Sequence, residues 1–216
     1  PENEVLILTS TDPYWIGEFD KEAFVEWDAT TDPDIRYDGL YRPIKSMQNF
    51  IFDINIPTIG AINGPGSVHW NFAVLCDITL CTPNFVARDD HFQAGHVPGD
   101  GESRCLQYLI GIKRAAFMMY MSNGIDAKTA LDWGIVNEIV PRDKLLARAW
   151  EIAEEIMRQP RSIRRLTSQL VKRPWKRLLI NDHDVHVTSE MYSYVLQRTK
   201  HDFESIKSTW TEAEKK

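Results

Sequence analysis

Short apolar runs and longer amphipathic segments alternate along this chain. Short segments rich in apolar residues, typical of strands buried in a parallel sheet, occur at Val5–Thr9, Thr58–Ile62 and Asp77–Thr82. Shorter strands are predicted at Phe85–Ala87 and Ile135–Val140. The segments between them repeat apolar residues every three or four positions, which indicates helices. The alternation predicts an α/β domain in which helices cover a sheet.

The clearest helical pattern is Asp143–Gln159, where Leu145, Ala149, Ile152 and Ile156 share one face. Pro160 ends that helix. The same spacing predicts further helices at Tyr41–Ile54, Trp70–Leu75, Arg104–Ile110, Arg114–Met121, Asp126–Trp133, around Ile163 to Leu170, and from Trp175 to about Trp210.

Two segments near the start of the chain have weaker patterns. Lys21–Trp27 is predicted as a short helix, whereas Asp28–Asp38 is polar, contains a proline and is predicted as a surface loop. A loop of this kind beside a site could act as a lid.

The stretch from Thr58 to Gly101 combines two of the buried strands with two turns rich in Gly and Pro. Gly and Asn tolerate positive φ, so Asn63-Gly64-Pro65-Gly66 predicts a tight turn after a strand. The same stretch contains three candidate catalytic side chains, His69, His91 and Asp100. Most of the functional information in the sequence therefore lies there.

Composition narrows the functional classes. The chain has 216 residues and a net charge of −6 without a basic stripe, which argues against a nucleic-acid partner. No apolar run approaches the roughly 20 residues that cross a bilayer. The three cysteines, Cys76, Cys81 and Cys105, are too few and too apolar in context for a disulfide framework. They indicate free thiols in a reducing, cytoplasmic compartment.

His69 follows the predicted strand and turn, at a position where α/β proteins commonly carry catalytic side chains. The structural alternative is a histidine packed among Val68, Trp70 and Phe72 and hydrogen-bonded to the backbone.

His91 and Asp100 are separated by a loop with glycines and a proline, which could fold back and set the carboxylate against the imidazole. A carboxylate in that position fixes the tautomer of a histidine base and stabilises its protonated form. The alternative is that Asp100 caps a helix that begins near Gly101.

His183, His186 and Glu190 lie on one face of a predicted helix, with spacing that could bind a metal. A mixed charged set of this kind is more often a solvated helix face, so no metal is predicted. The sequence also has no GxSxG, GxGxxG, P-loop or CxxC motif.

Four segments together resemble the crotonase (enoyl-CoA hydratase/isomerase) superfamily: Pro57–Gly64, Cys76–Leu80, Val97–Gly101 and Ala127–Ile139. The resemblance implies a crotonase-like ββα spiral core over residues 1–140. Residues 141–216 would then form a helical C-terminal region for oligomerisation and active-site cover, in a homotrimer or a dimer of trimers. Because no Met precedes Pro1, an N-terminal portion is expected to be missing from this sequence.

The chain departs from the usual coenzyme A enzymes of that superfamily. Where hydratases carry two catalytic glutamates, it has Asn71-Phe72 and Asp90-His91. Its NGP…H, DHF and VPGDG segments instead resemble β-diketone hydrolases of the 6-oxocamphor hydrolase type. Matching motifs place that group's two histidines on His69 and His91 and its aspartate on Asp100. Its C-terminal glutamate falls on Glu190.

The resemblance implies hydrolysis of a carbon–carbon bond in a β-diketone by a retro-Claisen reaction, without coenzyme A, metal or other cofactor. Water would be activated by the His91–Asp100 pair, in which Asp100 orients His91, while His69 hydrogen-bonds a carbonyl oxygen and stabilises the oxyanion or enolate. Four aromatic residues could line an apolar pocket that receives the diketone: Trp15, Phe19, Trp70 and Phe92. The alternative is that most of them belong to the core.

Two other functions stay open from the sequence. One is a crotonase-like isomerase, lyase or cyclase that acts on a coenzyme A or polyketide substrate. The other is a non-catalytic crotonase-like assembly subunit.

Overall fold

The structure is a computed structural model that describes residues 3–16, 32–66 and 69–196. The candidate pocket residue Phe19, the predicted helix Lys21–Trp27 and the first part of the predicted Asp28–Asp38 loop lie outside these ranges.

The described chain alternates strands and helices, as the sequence pattern predicts. The strands are β1 (Leu6–Leu8), β2 (Thr58–Ile62), β3 (Ile78–Cys81), β4 (Val86–Ala87), β5 (Ile125–Asp126) and β6 (Glu138–Ile139). The helices are α1 (Pro33–Arg36), α2 (Arg42–Asp53), α3 (Asn71–Val74), α4 (Glu102–Ile110), α5 (Ile112–Met121), α6 (Ala127–Asp132), α7 (Arg142–Met157) and α8 (Arg161–Leu196).

The main sheet has four parallel strands in the order β1-β2-β3-β6. Strand β2 is buried at every position, which agrees with the buried strand predicted there. β4 and β5 form a separate antiparallel pair. The predicted α/β class is therefore confirmed, and the carboxyl ends of β2 and β3 lead into the loops that carry the candidate catalytic residues.

Two apolar clusters hold the layers together. One packs β2 and β3 against α7 through Ile59, Leu80 and Ala149, which confirms the apolar face predicted for that helix. The other lies beneath the candidate site and includes Ile62, Trp70 and other large side chains. Strand β1 is only half-buried, because it pairs with a strand on one side alone within the described residues.

Two predictions about helices were wrong in detail. The segment around Ile163 to Leu170 and the segment from Trp175 form one helix, α8, which continues through Pro174. Proline removes one backbone donor, but Leu170, whose carbonyl loses that donor, is well exposed to water. No helix in the described ranges is both long and apolar enough to cross a membrane.

The predicted surface loop is also partly helical. Where the structure describes it, Pro33–Arg36 forms α1 and Tyr37–Tyr41 forms one π-helical turn that leads into α2. Tyr37 and Tyr41 stack at 5.1 Å between ring centroids, a contact that favours the helical turn over an open loop.

A buried ion pair joins α8 to the amino-terminal ends of β2 and β3. Lys172 is 2% exposed, and its Nζ lies 3.1 Å from Asp77 Oδ2. It also donates to the Ile56 carbonyl at 2.8 Å. The Asp77 carboxylate accepts further hydrogen bonds from the backbone amide of Thr58 and from Ser168 Oγ. Burial lowers the pKa of Lys172, and the Asp77 charge opposes that shift.

Replacing Lys172 by methionine is expected to lower the free energy of unfolding by about 3–5 kcal/mol, because Asp77 is left buried without its cation. Urea denaturation measures this loss. Lys176→Met is the matched control, since its pair with Asp53 is at 3.7 Å and largely exposed; its expected cost is about 0–1 kcal/mol. Equal losses in the two variants would contradict a structural role for the buried pair.

Candidate active site

The loop before His69 is shaped by a turn that touches the segment after β1. Asn63 donates from its side-chain amide to the carbonyls of Ser10 and Asp12, both at 2.9 Å. Gly64 must lack a side chain, because a Cβ there would lie 2.1 Å from the Pro13 carbonyl oxygen. The predicted tight turn thus brings the end of β2 against residues 10–14.

His69 itself has a left-handed backbone, with φ of 47°, a conformation that non-glycine residues seldom adopt. The Trp15 indole donates to the His69 carbonyl at 3.3 Å, and the His69 ring stacks on Phe72 at 5.3 Å. These contacts hold a strained peptide in place, and strain of this kind is concentrated at functional sites.

The second histidine follows β4 directly. The Trp70 indole donates to the Arg88 carbonyl at 3.0 Å and fixes the chain as it leaves the strand. Asp89 then accepts two contacts on the same oxygen: Oδ1 receives the His91 backbone amide at 3.0 Å and lies 2.9 Å from His91 Nδ1. The other ring nitrogen, Nε2, faces Asp100 and Glu190.

Asp100 lies between the two histidines. Its Oδ2 is 3.2 Å from His69 Nδ1 and 3.8 Å from His91 Nε2. Its Oδ1 accepts the Glu102 amide at 3.4 Å, at the start of α4. Asp100 therefore does what both alternatives from the sequence predict: it faces the imidazole rings, and it accepts a hydrogen bond at the start of α4. The structure corrects one expectation: Asp89, not Asp100, makes the close contact that orients the His91 ring.

Glu190 reaches the site from α8. A Cβ at Gly99 would lie 2.2 Å from the His186 carbonyl oxygen and 2.6 Å from Glu190 Cβ, so only glycine allows the loop and the helix to approach so closely. Glu190 Oε1 consequently lies 3.8 Å from His91 Nε2. The loop is also tied to α8 by the Val97 amide, which donates to Ser193 Oγ at 3.1 Å.

The charges of these groups are strongly coupled. Burial opposes protonation of His91, but the carboxylates of Asp100, Asp89 and Glu190 outweigh it and raise the pKa of His91 well above its ordinary value. For Asp100, burial favours the neutral form, yet His91 and His69 hold its pKa well below the usual range. Asp100 is thus an anion, and His91 keeps its proton to unusually high pH.

For Glu190 and Glu102 the pKa is raised, in contrast to Asp100. Burial raises the pKa of Glu190 to about 8, with Asp100 and Asp89 adding to the shift and His91 opposing it. Burial, with Asp100 and Asp89, also raises the pKa of Glu102 well above its ordinary value. The site therefore places two carboxyl groups that burial shifts towards the neutral form beside an ionised aspartate and a histidine, and general acid–base chemistry uses groups of these kinds.

The predicted pocket aromatics are distributed unevenly. Trp15 and Trp70 are fully buried in the apolar cluster beneath the site. They support the loops of His69 and His91 through their indole N–H groups rather than presenting an open face. Phe92 is about half exposed and packs edge-on against Tyr120 at 5.1 Å. Because Phe19 is not described, Phe92 is the predicted pocket aromatic that faces outward here.

Two overlapping groups near His91 could hold a metal ion. Asp89, His91 and Glu102 form one, and His91, Asp100 and Glu190 form the other, with ligand atoms within 4.8 Å of one another. Among the described residues, His183 and His186 belong to neither group. His186 Nδ1 lies 3.2 Å from Ser103 Oγ, and burial lowers the pKa of His183 to about 4. The helical spacing of these histidines therefore does not assemble a metal site with Glu190.

The structure brings together all four predicted catalytic residues: His69, His91, Asp100 and Glu190. The sequence reasoning missed Asp89 and Glu102. For Asp89 a signal was present, because an aspartate often accepts the backbone amide two residues later. For Glu102 no such pattern exists, since a glutamate in the first turn of a helix is usually exposed.

Comparison with known proteins places this arrangement in context. The family model described as enoyl-CoA hydratase/isomerase matches residues 2–215. A β-diketone hydrolase from the cyanobacterium Anabaena, solved with bound (S)-3-oxocyclohexyl acetic acid, is similar in structure with a TM-score of 0.83. It is 29% identical, and the match covers 91% of this chain and 78% of that chain. An enoyl-CoA hydratase/isomerase from Mycobacterium paratuberculosis shares the fold with a TM-score of 0.82 at 23% identity, over 97% of this chain and 81% of its own.

Two curated relatives are named for fatty acid oxidation and enoyl-CoA hydration rather than diketone hydrolysis. A fatty acid oxidation complex subunit alpha from Idiomarina loihiensis is 32% identical over 58% of this chain, and the match spans 18% of that protein. A probable peroxisomal enoyl-CoA hydratase 1 from Arabidopsis thaliana is 31% identical over 61% of this chain and 44% of its own length. The chain thus spans less than half of these curated relatives.

Proposed function

The chain belongs to the enoyl-CoA hydratase/isomerase family of the crotonase superfamily, and we propose that it hydrolyses a carbon–carbon bond of a β-diketone without coenzyme A. The observation that carries this proposal is the cluster around His91. Its Nε2 lies 3.8 Å from both Asp100 and Glu190, and Asp100 also contacts His69. A base, an acid and an oxyanion donor therefore converge on one small region.

The first step is the attack of water on one carbonyl of the diketone. His91 acts here in its neutral form: its Nε2 takes the proton from the water as the new carbon–oxygen bond forms, which gives a tetrahedral adduct. Asp100 remains ionised and stabilises the imidazolium that results. His69 lies beside Asp100 and donates a hydrogen bond to the carbonyl oxygen, where negative charge develops.

The second step breaks the carbon–carbon bond. The electron pair of that bond moves to the carbon between the two carbonyls, and the second carbonyl holds it as an enolate. Glu190, which is protonated at neutral pH because its pKa is about 8, donates the proton that this carbon needs. The sum is one diketone plus one water giving one keto acid, and the next proton transfer from His91 restores Glu190.

Similarity to the Anabaena β-diketone hydrolase at 29% identity supports this assignment. The names of the curated relatives favour a second candidate, an enoyl-CoA hydratase or isomerase. Against that candidate, the positions where the resemblance places hydratase glutamates hold Asn71-Phe72 and Asp90-His91. Asp90 forms an ion pair with Arg88 at 2.8 Å, so its carboxylate is already engaged by a cation.

The proposal is tested by offering the purified protein cyclic 1,3-diketones and, separately, enoyl-CoA thioesters. Loss of the diketone absorbance with formation of a keto acid is expected, without hydration of the thioester. The diketone rate should be unchanged after dialysis against a chelator, because proton transfer alone drives the reaction. Hydration of the thioester with no diketone opening would overturn the proposal in favour of the second candidate.

A further inference from the structure

We infer that Asp89 is the positioning residue for His91, a role that the sequence had suggested for Asp100. This inference rests on the proposed function only in taking His91 as the base. Asp89 holds the His91 ring through Nδ1, so that Nε2 is directed towards Asp100, Glu190 and the substrate water and is free of hydrogen when the ring is neutral.

The geometry gives Asp89 two simultaneous contacts with the same residue. Asp89 Oδ1 accepts the His91 backbone amide at 3.0 Å and lies 2.9 Å from His91 Nδ1. One oxygen atom thus fixes both the position of the His91 backbone and the rotation of its ring. Since Nδ1 must carry the hydrogen to donate to this carboxylate, neutral His91 has its lone pair on Nε2.

Asp100 cannot perform the same task from its observed place. It lies on the Nε2 side of the ring at 3.8 Å, beyond direct hydrogen-bond distance, whereas it is 3.2 Å from His69 Nδ1. A carboxylate on that side faces the atom that takes the proton. Asp100 therefore stabilises charge, and Asp89 selects the tautomer.

The burial of Asp89 argues that its purpose is more than folding. Its side chain is 0% exposed, and its second oxygen, Oδ2, is buried without a hydrogen-bond partner among the described residues. Leaving a buried carboxylate oxygen unsatisfied is costly. A carboxylate that served packing alone would be replaced by a group with no such cost, whereas one that must hold an imidazole cannot be.

Other charged groups also face the His91 ring, and the test must separate them from Asp89. Asp90 and Arg88 lie on the same loop, Asp100 and Glu102 lie at the start of α4, Glu190 comes from α8, and His69 lies across the site. Of these, Asp90 offers the best comparison, because it is adjacent in sequence but is paired with Arg88.

The direct test is a nitrogen-15 NMR titration of the histidine rings, with His91 assigned by comparison with His91→Gln. In the unmodified protein, His91 is expected to deprotonate to the Nδ1–H form. In Asp89→Leu no acceptor faces Nδ1, so the neutral ring should change to the Nε2–H form, which an unconstrained histidine favours. The titration midpoint should also fall by about 1–3 pH units on loss of the charge.

Asp90→Leu is the matched control and should leave the His91 tautomer unchanged. An Nε2–H ring in the unmodified protein would overturn the inference, even if Asp89→Leu failed to fold. An unchanged His91 tautomer in a folded Asp89→Leu would also overturn it. These measurements need no substrate, so they stand whether or not the protein opens diketones. On an active substrate, Asp89→Leu is expected to lower kcat about 10²-fold with little change in KM.

Discussion

Replacing His91 by glutamine is expected to lower kcat for diketone opening about 10⁴-fold, the largest loss expected from any single change at this site. Glutamine is close in size to histidine but cannot take a proton from water. His91 is partly exposed, so the fold should survive the substitution. Steady-state kinetics with the best diketone substrate measures the effect.

The pH dependence of the unmodified enzyme gives a second view of the same residue. His91 acts as a base only when neutral, and its pKa is raised well above the ordinary value. The rate should therefore rise with pH and keep rising above pH 6.5, the ordinary value for histidine. His91→Gln should lose this rise. His96→Gln, which changes a histidine of the same loop that stacks on Tyr194, should keep it. An unchanged rate in His91→Gln would rule out His91 as the base.

Asp100→Asn is expected to lower kcat about 10³-fold while preserving the fold. An asparagine oxygen can still accept the Glu102 amide, which Asp100 accepts at 3.4 Å. The negative charge that faces both His69 and His91 is lost, however. The imidazolium formed during water attack is then no longer stabilised, and His69 loses its nearest anionic neighbour at 3.2 Å. The kinetic constants and the thermal midpoint together separate this loss from unfolding.

Glu102→Gln is the matched control for Asp100→Asn. Glu102 is equally buried, two residues away, and burial raises its pKa well above the ordinary value, which favours its neutral form. Because glutamine resembles a neutral carboxylic acid, the rate should stay within about tenfold of the unmodified enzyme. If both variants lost activity equally, the effect would come from disturbing a buried cluster, and the specific role of Asp100 would be contradicted.

Much of the fold could be predicted because its signals are local. β2 and β3 are short apolar runs, and α7 has a regular apolar face, so each is defined by neighbouring residues. The N-cap of α6 is an example at the level of one residue: Asp126 accepts the Thr129 amide at 2.8 Å, as its position predicts. The continuity of α8 through Pro174 was not predictable, because a proline inside a helical pattern usually ends or kinks the helix.

In the candidate site too, local sequence signals predict some residues, whereas the contacts between them depend on the fold. His69, His91 and Asp100 were found because they lie in recognisable turns after strands. Glu190 was suggested by family resemblance, and its approach depends on Gly99, which lets α8 come within contact distance of the loop. The pairing within the site could not be read from the sequence. Asp89 and Asp100 are both aspartates near His91, and only the rotation of the imidazole ring decides which carboxylate meets Nδ1.

The most direct measurement of the central claim is mass spectrometry of the product formed in water enriched in oxygen-18. If water attacks a diketone carbonyl and the carbon–carbon bond then breaks, the keto acid must carry one oxygen-18 atom in its new carboxylate. The account predicts one oxygen-18 atom in each keto acid in the absence of coenzyme A. It also predicts that His91→Gln forms almost none of this labelled product. A ring-opened product without the label, or a labelled product only from an enoyl-CoA thioester, would contradict it.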